Sequence, residues 1–202
     1  MSKKLKFYII FFVVLVLGFY YALTQVIPGF GKVKLPILSY VQPFRFTNQD
    51  GKYVTNQDVT GKVYVAEYFF TTCQSICPIM NTNMVDVYQQ YKDEPHFLIL
   101  SHTCDPDNDS VAQLKKYADS LSVNTKQWIF LTGPKDSLYM AAPNSYLLDD
   151  SENNLQNIND QFLHTQYFAL VDKKGQVRKI VDGLKKEELQ ELKKYIGALL
   201  KK

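Results

Sequence analysis

Acidic residues are missing from the first 27 positions, and the residue types that carry metal and redox chemistry are scarce: three Cys, three His and one Trp in 202 residues. The formal charge of +3 therefore comes from one place. Removing Lys3, Lys4 and Lys6 leaves 20 basic and 20 acidic residues, so the remainder is neutral and does not read as a nucleic-acid surface. An odd cysteine count argues against a purely structural disulfide framework. No internal repeat is visible, and the N-terminus lacks the Arg- and Ser-rich composition of an organelle presequence. The apolar fraction is 46% and the charged fraction 21%, which excludes disordered, collagen-like and polytopic membrane chains. The length suits an anchor plus one domain better than two full domains. Fourteen Tyr and 13 Phe supply material for a sizeable core.

No charge occurs from Phe7 to Gly31, and Phe7 to Ile27 is almost entirely apolar or aromatic. At a helical rise those residues reach roughly 30 Å, enough to cross a bilayer core. The three lysines precede the run, so the positive-inside rule keeps the short tail in the cytoplasm and exports the chain beyond residue 28. Tyr20 and Tyr21 are placed for the outer interface. A cleaved signal peptide is the alternative, but Tyr21-Ala22-Leu23 makes a poor cleavage site. The expectation is a single-pass anchor over residues 1–27 in a bacterial inner (cytoplasmic) membrane, with the domain facing the periplasm or exterior.

Residues 28–43, with Pro28, Gly29, Gly31, Pro36 and Pro43, read as a linker, which leaves 44–202 as the exported domain. Phe44 to Thr55 reads as a hairpin turning at Asn48–Gly51. Lys62 to Phe70 is rich in β-branched and aromatic residues and predicts a strand buried on both faces. A helix is expected over 75–91, with Pro78 tolerable only in its first turn. A strand comes next at Phe97–Leu100, then a helix over Asp109–Leu121 with Asp109 able to cap it. Trp128–Leu131 is strand-like, and a short helix is expected from Lys135. Residues 143–160, rich in Asn and Asp, read as a long loop. Tyr167–Val171 and Val177–Val181 flank a turn at Asp172–Gly175. A closing helix spans about Lys185 to Leu200, with its lysines on the solvated face. A βαβ start followed by an antiparallel hairpin and a helix is the thioredoxin-like arrangement: an α/β fold with a central mixed sheet flanked by helices.

This order brings chemistry to one pole. Cys73 and Cys77 come just after the first parallel strand, and ligands of open α/β sheets bind beyond the carboxyl ends of such strands. His102 and Cys104 are expected just past the next strand, at the same edge. His164 precedes the strand beginning near Tyr167, whose start falls at that edge if it runs antiparallel. His96 falls at the opposite pole and reads as surface. Two thiolates at a helix entrance are electrostatically favoured. The pair can close a disulfide or bind a soft metal: thiolate selects Cu(I), and imidazole suits both copper states. Zinc is the rival ion, with Cys104 or His102 as a further ligand.

At these residues the chain resembles the Sco/SenC family over about residues 44–200. The resemblance rests on Tyr68-Phe-Phe-Thr-Thr-Cys73-Gln-Ser-Ile-Cys77-Pro78, on Ser101-His-Thr-Cys-Asp105-Pro106-Asp-Asn-Asp109, on Leu131-Thr-Gly133, and on His164-Thr165 before the last hairpin. It implies a membrane-tethered thioredoxin-like domain that binds copper as Cu(I), with Cu(II) left open, through Cys73, Cys77 and His164. Cys73 and Cys77 would also be the redox-active pair. It further implies help in assembling the dinuclear copper site of cytochrome c oxidase subunit II, by copper donation, thiol reduction or both, and an upstream copper donor or thiol reductant as a second partner. Two positions depart from the family pattern: Leu163 stands where an Asp commonly precedes the ligand histidine, and Cys104 where an apolar residue is usual. Cys104 reads as a small buried hydrophobe, an extra thiol near the site or a disulfide partner.

The main rival is an extracytoplasmic thiol-disulfide oxidoreductase of thioredoxin or resA-like type without obligate metal. Those enzymes usually space the cysteines one residue closer and place a proline before the facing strand, and residues 160–168 contain none. A peroxidase is more distant, because Phe70 occupies the position where a Thr is required.

Overall fold

The computed structural model describes residues 2–26, 35–149, 163 and 165–201. The chain divides into two compact units, Met1–Leu35 and Pro36–Lys202. In the first, helix α1 (Lys3–Val26) has no buried residue and is long and apolar enough to cross a membrane. Its lack of a polar face explains this, since nothing distinguishes one side for packing on protein.

The second unit is built on one eight-stranded sheet. In chain order its elements are β1 (Ser39–Tyr40), β2 (Arg45–Asn48), β3 (Tyr53–Thr55), α2 (Asn56–Val59), β4 (Val63–Phe69), α3 (Cys77–Tyr91), β5 (Phe97–Thr103), α4 (Val111–Ser120), β6 (Trp128–Thr132), α5 (Lys135–Ala141), a π-helical turn (Ala142–Tyr146), β7 (Tyr167–Val171), β8 (Gln176–Asp182) and α6 (Lys186–Leu200). The strand order is β1-β8-β7-β4-β5-β6-β2-β3. The three central strands β4, β5 and β6 are parallel, and every other pairing is antiparallel. This is the thioredoxin-like α/β arrangement expected from the order of elements.

All seven residues of β4 and all seven of β5 are buried, as their continuous apolar character requires of strands covered on both faces. One face carries Tyr64, Ala66, Tyr68, Leu98, Leu100 and Leu131, packed with Tyr139, Tyr146 and Val177. The turns at Gly51 and Gly175 take φ of 73° and 72°, a region that glycine enters without steric cost.

Several expectations are corrected. Ser39 and Tyr40 pair with Val177 and Gln176, so the second half of the stretch read as a linker supplies an edge strand. Ser110, not Asp109, caps α4, because its hydroxyl accepts from the Gln113 N–H while the Asp109 carboxylate is engaged elsewhere. Within 143–160, residues up to Tyr146 belong to the π-helical turn; residues 150–160 of that expected loop lie outside the described residues. Lys193 does not face solvent: its ammonium pairs with Asp86 across from α3.

Leu100 is fully buried at the centre of the sheet. Leu100→Ala is expected to lower unfolding free energy by about 2–5 kcal/mol, the cost of a cavity in a packed core. A urea denaturation midpoint equal to that of the parent chain would contradict this placement.

Candidate metal and redox site

β4 and β5 end together: Phe69 lies opposite Thr103 in the parallel register. The chain then leaves β4 through a turn closed by the Cys73 N–H on the Phe70 carbonyl (3.2 Å) and enters α3 at Cys77. Pro78 occupies the first turn of α3, where its missing N–H costs nothing. Cys73 and Cys77 are thus one on a turn and one on a helix, both buried and both free thiols.

Their environments differ in sign. Burial pushes the Cys73 thiol up, but it is outweighed by hydrogen bonds from the Cys77 thiol, from the backbone N–H groups of Cys77 and Ser75 and from the Ser75 hydroxyl, so its pKa falls below the ordinary value. The Ser75 oxygen lies 3.6 Å from its sulfur. Cys77 is pushed up to about 12, first by burial and then by donating its proton to Cys73. Cys73 is therefore the sulfur that ionises more readily, and Cys77 the one that keeps its proton. The arrangement can close a disulfide or, after losing the second proton, present two thiolates to a soft cation.

The third cysteine is set back. Cys104 is buried, with its thiol directed to the Phe69 carbonyl at 3.2 Å and its pKa driven up by burial. It behaves as a small buried side chain that closes the strand ends together.

His102 corrects the expectation that it lies past its strand at the rim. β5 extends to Thr103, so His102 is inside the strand and fully buried. Its ring stacks on Tyr68 (centroids 5.1 Å) and touches Phe46 and Tyr146. Burial lowers its pKa to about 4, so it is a neutral core imidazole rather than a ligand at the rim. His96 is exposed before β5, as expected. His164 lies outside the described residues. β7 does run antiparallel to β4, with Ala169 opposite Ala66. Leu163, where the family pattern has an acid, is buried, and its N–H donates to the Tyr139 hydroxyl (3.2 Å), which itself donates to the Cys104 carbonyl (2.8 Å). Among the described residues, no group of three or more His, Cys, Asp and Glu side chains is arranged to hold a metal ion.

Sequence reasoning passed over Glu67, although an acid inside a strand buried on both faces is itself a signal. Its carboxyl accepts from the Ser101 hydroxyl, which accepts in turn from the Trp128 indole N–H (2.7 Å). Among the described residues the second carboxyl oxygen has no hydrogen-bond partner, and Glu67 raises the pKa of both Cys77 and Tyr117. Burial lifts its own pKa from 4.5 to about 7, against the pull of Ser101.

The fold and this dithiol define a thioredoxin-like domain with a Cys-x-x-x-Cys pair at a helix entrance. A SCO1/SenC family model matches residues 36–197, and the chain belongs to that family. It is 36% identical over 160 residues to the SCO1 protein homolog of Bacillus subtilis, spanning 77% of this chain and 80% of that protein. The solved structure of BsSco, described as a member of the Sco family of cytochrome c oxidase assembly proteins with a disulfide switch, matches with a TM-score of 0.70 at 32% identity, covering 84% of this chain and 98% of its own. Copper-bound ScoI of Arabidopsis thaliana matches with a TM-score of 0.61 over 81% of this chain and 100% of its own; at 20% identity that likeness shows the fold.

Two measurements check the electrostatics. Iodoacetamide near neutral pH should alkylate Cys73 first, Cys77 later and Cys104 last, read by peptide mass; Cys77 reacting ahead of Cys73 would contradict the assigned polarity. The second concerns Glu67. Between pH 4.5 and about 7 the folded chain holds a proton that the unfolded chain has lost, so this residue's contribution to stability falls as pH rises through that window. The full span corresponds to about 3 kcal/mol. His102 acts in the opposite sense, losing stability as pH falls from 6.5 through about 4. Glu67→Gln is expected to remove much of the loss between pH 5 and 8 in urea unfolding, whereas equal pH dependence in parent and variant would exclude the buried carboxyl as its source.

Proposed function

We propose that this chain is a membrane-anchored, extracytoplasmic carrier of copper that assists assembly of the dinuclear copper site of cytochrome c oxidase subunit II. In this reading residues 1–27 anchor it, the stretch before Pro36 links, and the unit from Pro36 onward forms the working domain, single-pass in a bacterial cytoplasmic membrane and facing the periplasm or exterior. The observation that carries the reading is the pair of free, buried sulfurs of Cys73 and Cys77 at the entrance of α3. A soft dithiolate donor set selects Cu(I) over harder ions. Family membership and the assembly role stated for BsSco support the recipient class.

Copper is cargo here. Cys73 and Cys77 supply two thiolates, and His164 is proposed as the third ligand. Support for His164 comes from its neighbour Leu163, tied through Tyr139 to the backbone at Cys104. Two sulfurs and one imidazole leave Cu(I) three-coordinate, so a recipient thiolate or imidazole can enter before a donor ligand leaves. Imidazole also tolerates Cu(II).

A second reading is favoured by the opposed pKa shifts of the two thiols. A lowered Cys73 beside a proton-holding Cys77 is the polarity of a dithiol that reduces another disulfide: Cys73 thiolate attacks, a mixed disulfide forms, and Cys77 then releases the product thiol while the pair becomes a disulfide. In that role the chain reduces the recipient's cysteines, and an upstream thiol reductant must restore it; in the carrier role an upstream copper donor must load it.

The discriminating experiment titrates the detergent-solubilised, reduced chain with Cu(I) and Zn(II) in competition, then measures the midpoint potential of the dithiol in the same sample. One Cu(I) per chain held in preference to zinc is expected. Cys73→Ala, Cys77→Ala and His164→Ala should each weaken Cu(I) binding by more than ~100-fold, beyond the 10–100-fold typical of losing an outer-shell group. Unchanged binding in His164→Ala would remove that residue from the ligand set. Rapid dithiol exchange with no preference for copper would favour the reductase.

A further inference from the structure

Asp109 is fully buried beyond the carboxyl end of β5, immediately before the cap of α4. Its carboxylate is filled by hydroxyl and amide donors from two neighbouring segments. Thr71 gives both its hydroxyl proton and its backbone N–H (3.2 and 3.3 Å to the two oxygens), and Thr103 gives its hydroxyl proton. Each hydroxyl is fixed in direction by a second donor. Gln113 from α4 donates to the Thr71 oxygen at 3.1 Å, and the Asp105 N–H donates to the Thr103 oxygen at 2.9 Å. A hydroxyl has one proton, and both point inward to the same carboxylate. Among the described residues no basic side chain pairs with Asp109. The first turn of α4 offers it the positive end of the helix dipole.

The consequence lies two residues away. Thr71 is inside the turn that the Cys73 N–H closes on Phe70. Cys77 is held by α3, but Cys73 stands on a loop whose flanking residues Thr72, Gln74 and Ser75 are exposed. The distance and angle between the two sulfurs therefore depend on what holds that turn against β5 and α4. Resting on the reading of Cys73 and Cys77 as the cargo-binding and redox pair, we propose that Asp109 is a positioning residue for Cys73, acting through Thr71 to hold its turn at the spacing from Cys77 that both copper binding and disulfide closure need. The carboxylate does not touch the cargo.

Freeing the turn adds conformational freedom to the dithiol that neither the disulfide nor the metal complex can keep. Both closed states are then disfavoured together. The test uses the detergent-solubilised chain with Thr71→Val, Asp109→Ala and Asp109→Asn. Thr71→Val keeps the shape of the side chain and removes only the hydroxyl tie; Asp109→Asn keeps an acceptor for Thr71 but loses the match to two inward-pointing protons. Thr71→Val and Asp109→Ala should each lower Cu(I) affinity by about tenfold or more, within the range for groups that orient a ligand. They should also shift the dithiol–disulfide equilibrium about tenfold toward the dithiol, a midpoint potential higher by about 30 mV. Asp109→Asn should fall between Asp109→Ala and the parent in both readouts. If Asp109→Ala fails to fold, Thr71→Val decides. Folded Thr71→Val with the parent's copper affinity and the parent's potential overturns the proposal. If the parent itself takes no copper, the carrier reading fails while the potential of Thr71→Val still decides the role of Asp109.

Discussion

The placement of Cys77 in the first turn of α3 and of Cys73 on the turn before it organises this protein. One cysteine stands on a helix and the other on the turn that precedes it, and burial of Cys77 together with the polar surroundings of Cys73 makes two identical side chains chemically unequal. The helix N-terminus supplies backbone N–H groups to the turn-borne sulfur, and the sheet supplies the burial that keeps the proton on the helix-borne one. Separate those sulfurs, and neither disulfide closure nor two-sulfur coordination of a soft ion is available.

Around that pair the fold spends buried polarity where a simple core would have none. Glu67 lies in a fully buried strand near enough to Cys77 to raise its pKa, with one oxygen unpartnered among the described residues and its proton held to about pH 7. Asp109 gathers the turn and β5 onto one carboxylate, and Gln113 of α4 joins them through the Thr71 hydroxyl. Such groups oppose stability unless they are satisfied or neutral. Asp109 is satisfied by its donors, and Glu67 is made tolerable by protonation. Both stand at the pole where the strands end, and the opposite face of the sheet is closed by aromatic packing around a neutral His102.

The two proposed roles, carrier and reductase, call on the same atoms. A reduced pair can present two sulfurs to copper or give its electrons to a recipient disulfide, and the geometry at α3 serves each. The difference resides in what meets Cys73 first, an ion or a disulfide, and in whether a third ligand joins. Family membership narrows the setting to the SCO1/SenC proteins and leaves that choice to the chemistry of the partner.

The linear pattern carried much of this. A charge-free run behind three lysines, a continuous apolar stretch before Cys73 and a hairpin before the last helix read directly into α1, β4 and β7–β8, because burial on one or both faces leaves a periodicity in the chain. The pole shared by Cys73 and Cys77 was legible too, since strand direction can be read from the order of elements. Other features were not. That β5 runs three residues past Leu100 and draws His102 into the core depends on the register with β4 and β6, which is a contact between distant segments. The edge strand at Ser39–Tyr40 forms where β8 offers it backbone groups to pair with, and the prolines on either side of it, Pro36 and Pro43, gave the opposite signal. Asp109 looks like a helix cap in one dimension, and its true engagement with Thr71 and Thr103 appears only when two strand ends are laid side by side. Local periodicity can specify which face of an element is buried; it carries no record of which side chain from another segment waits there.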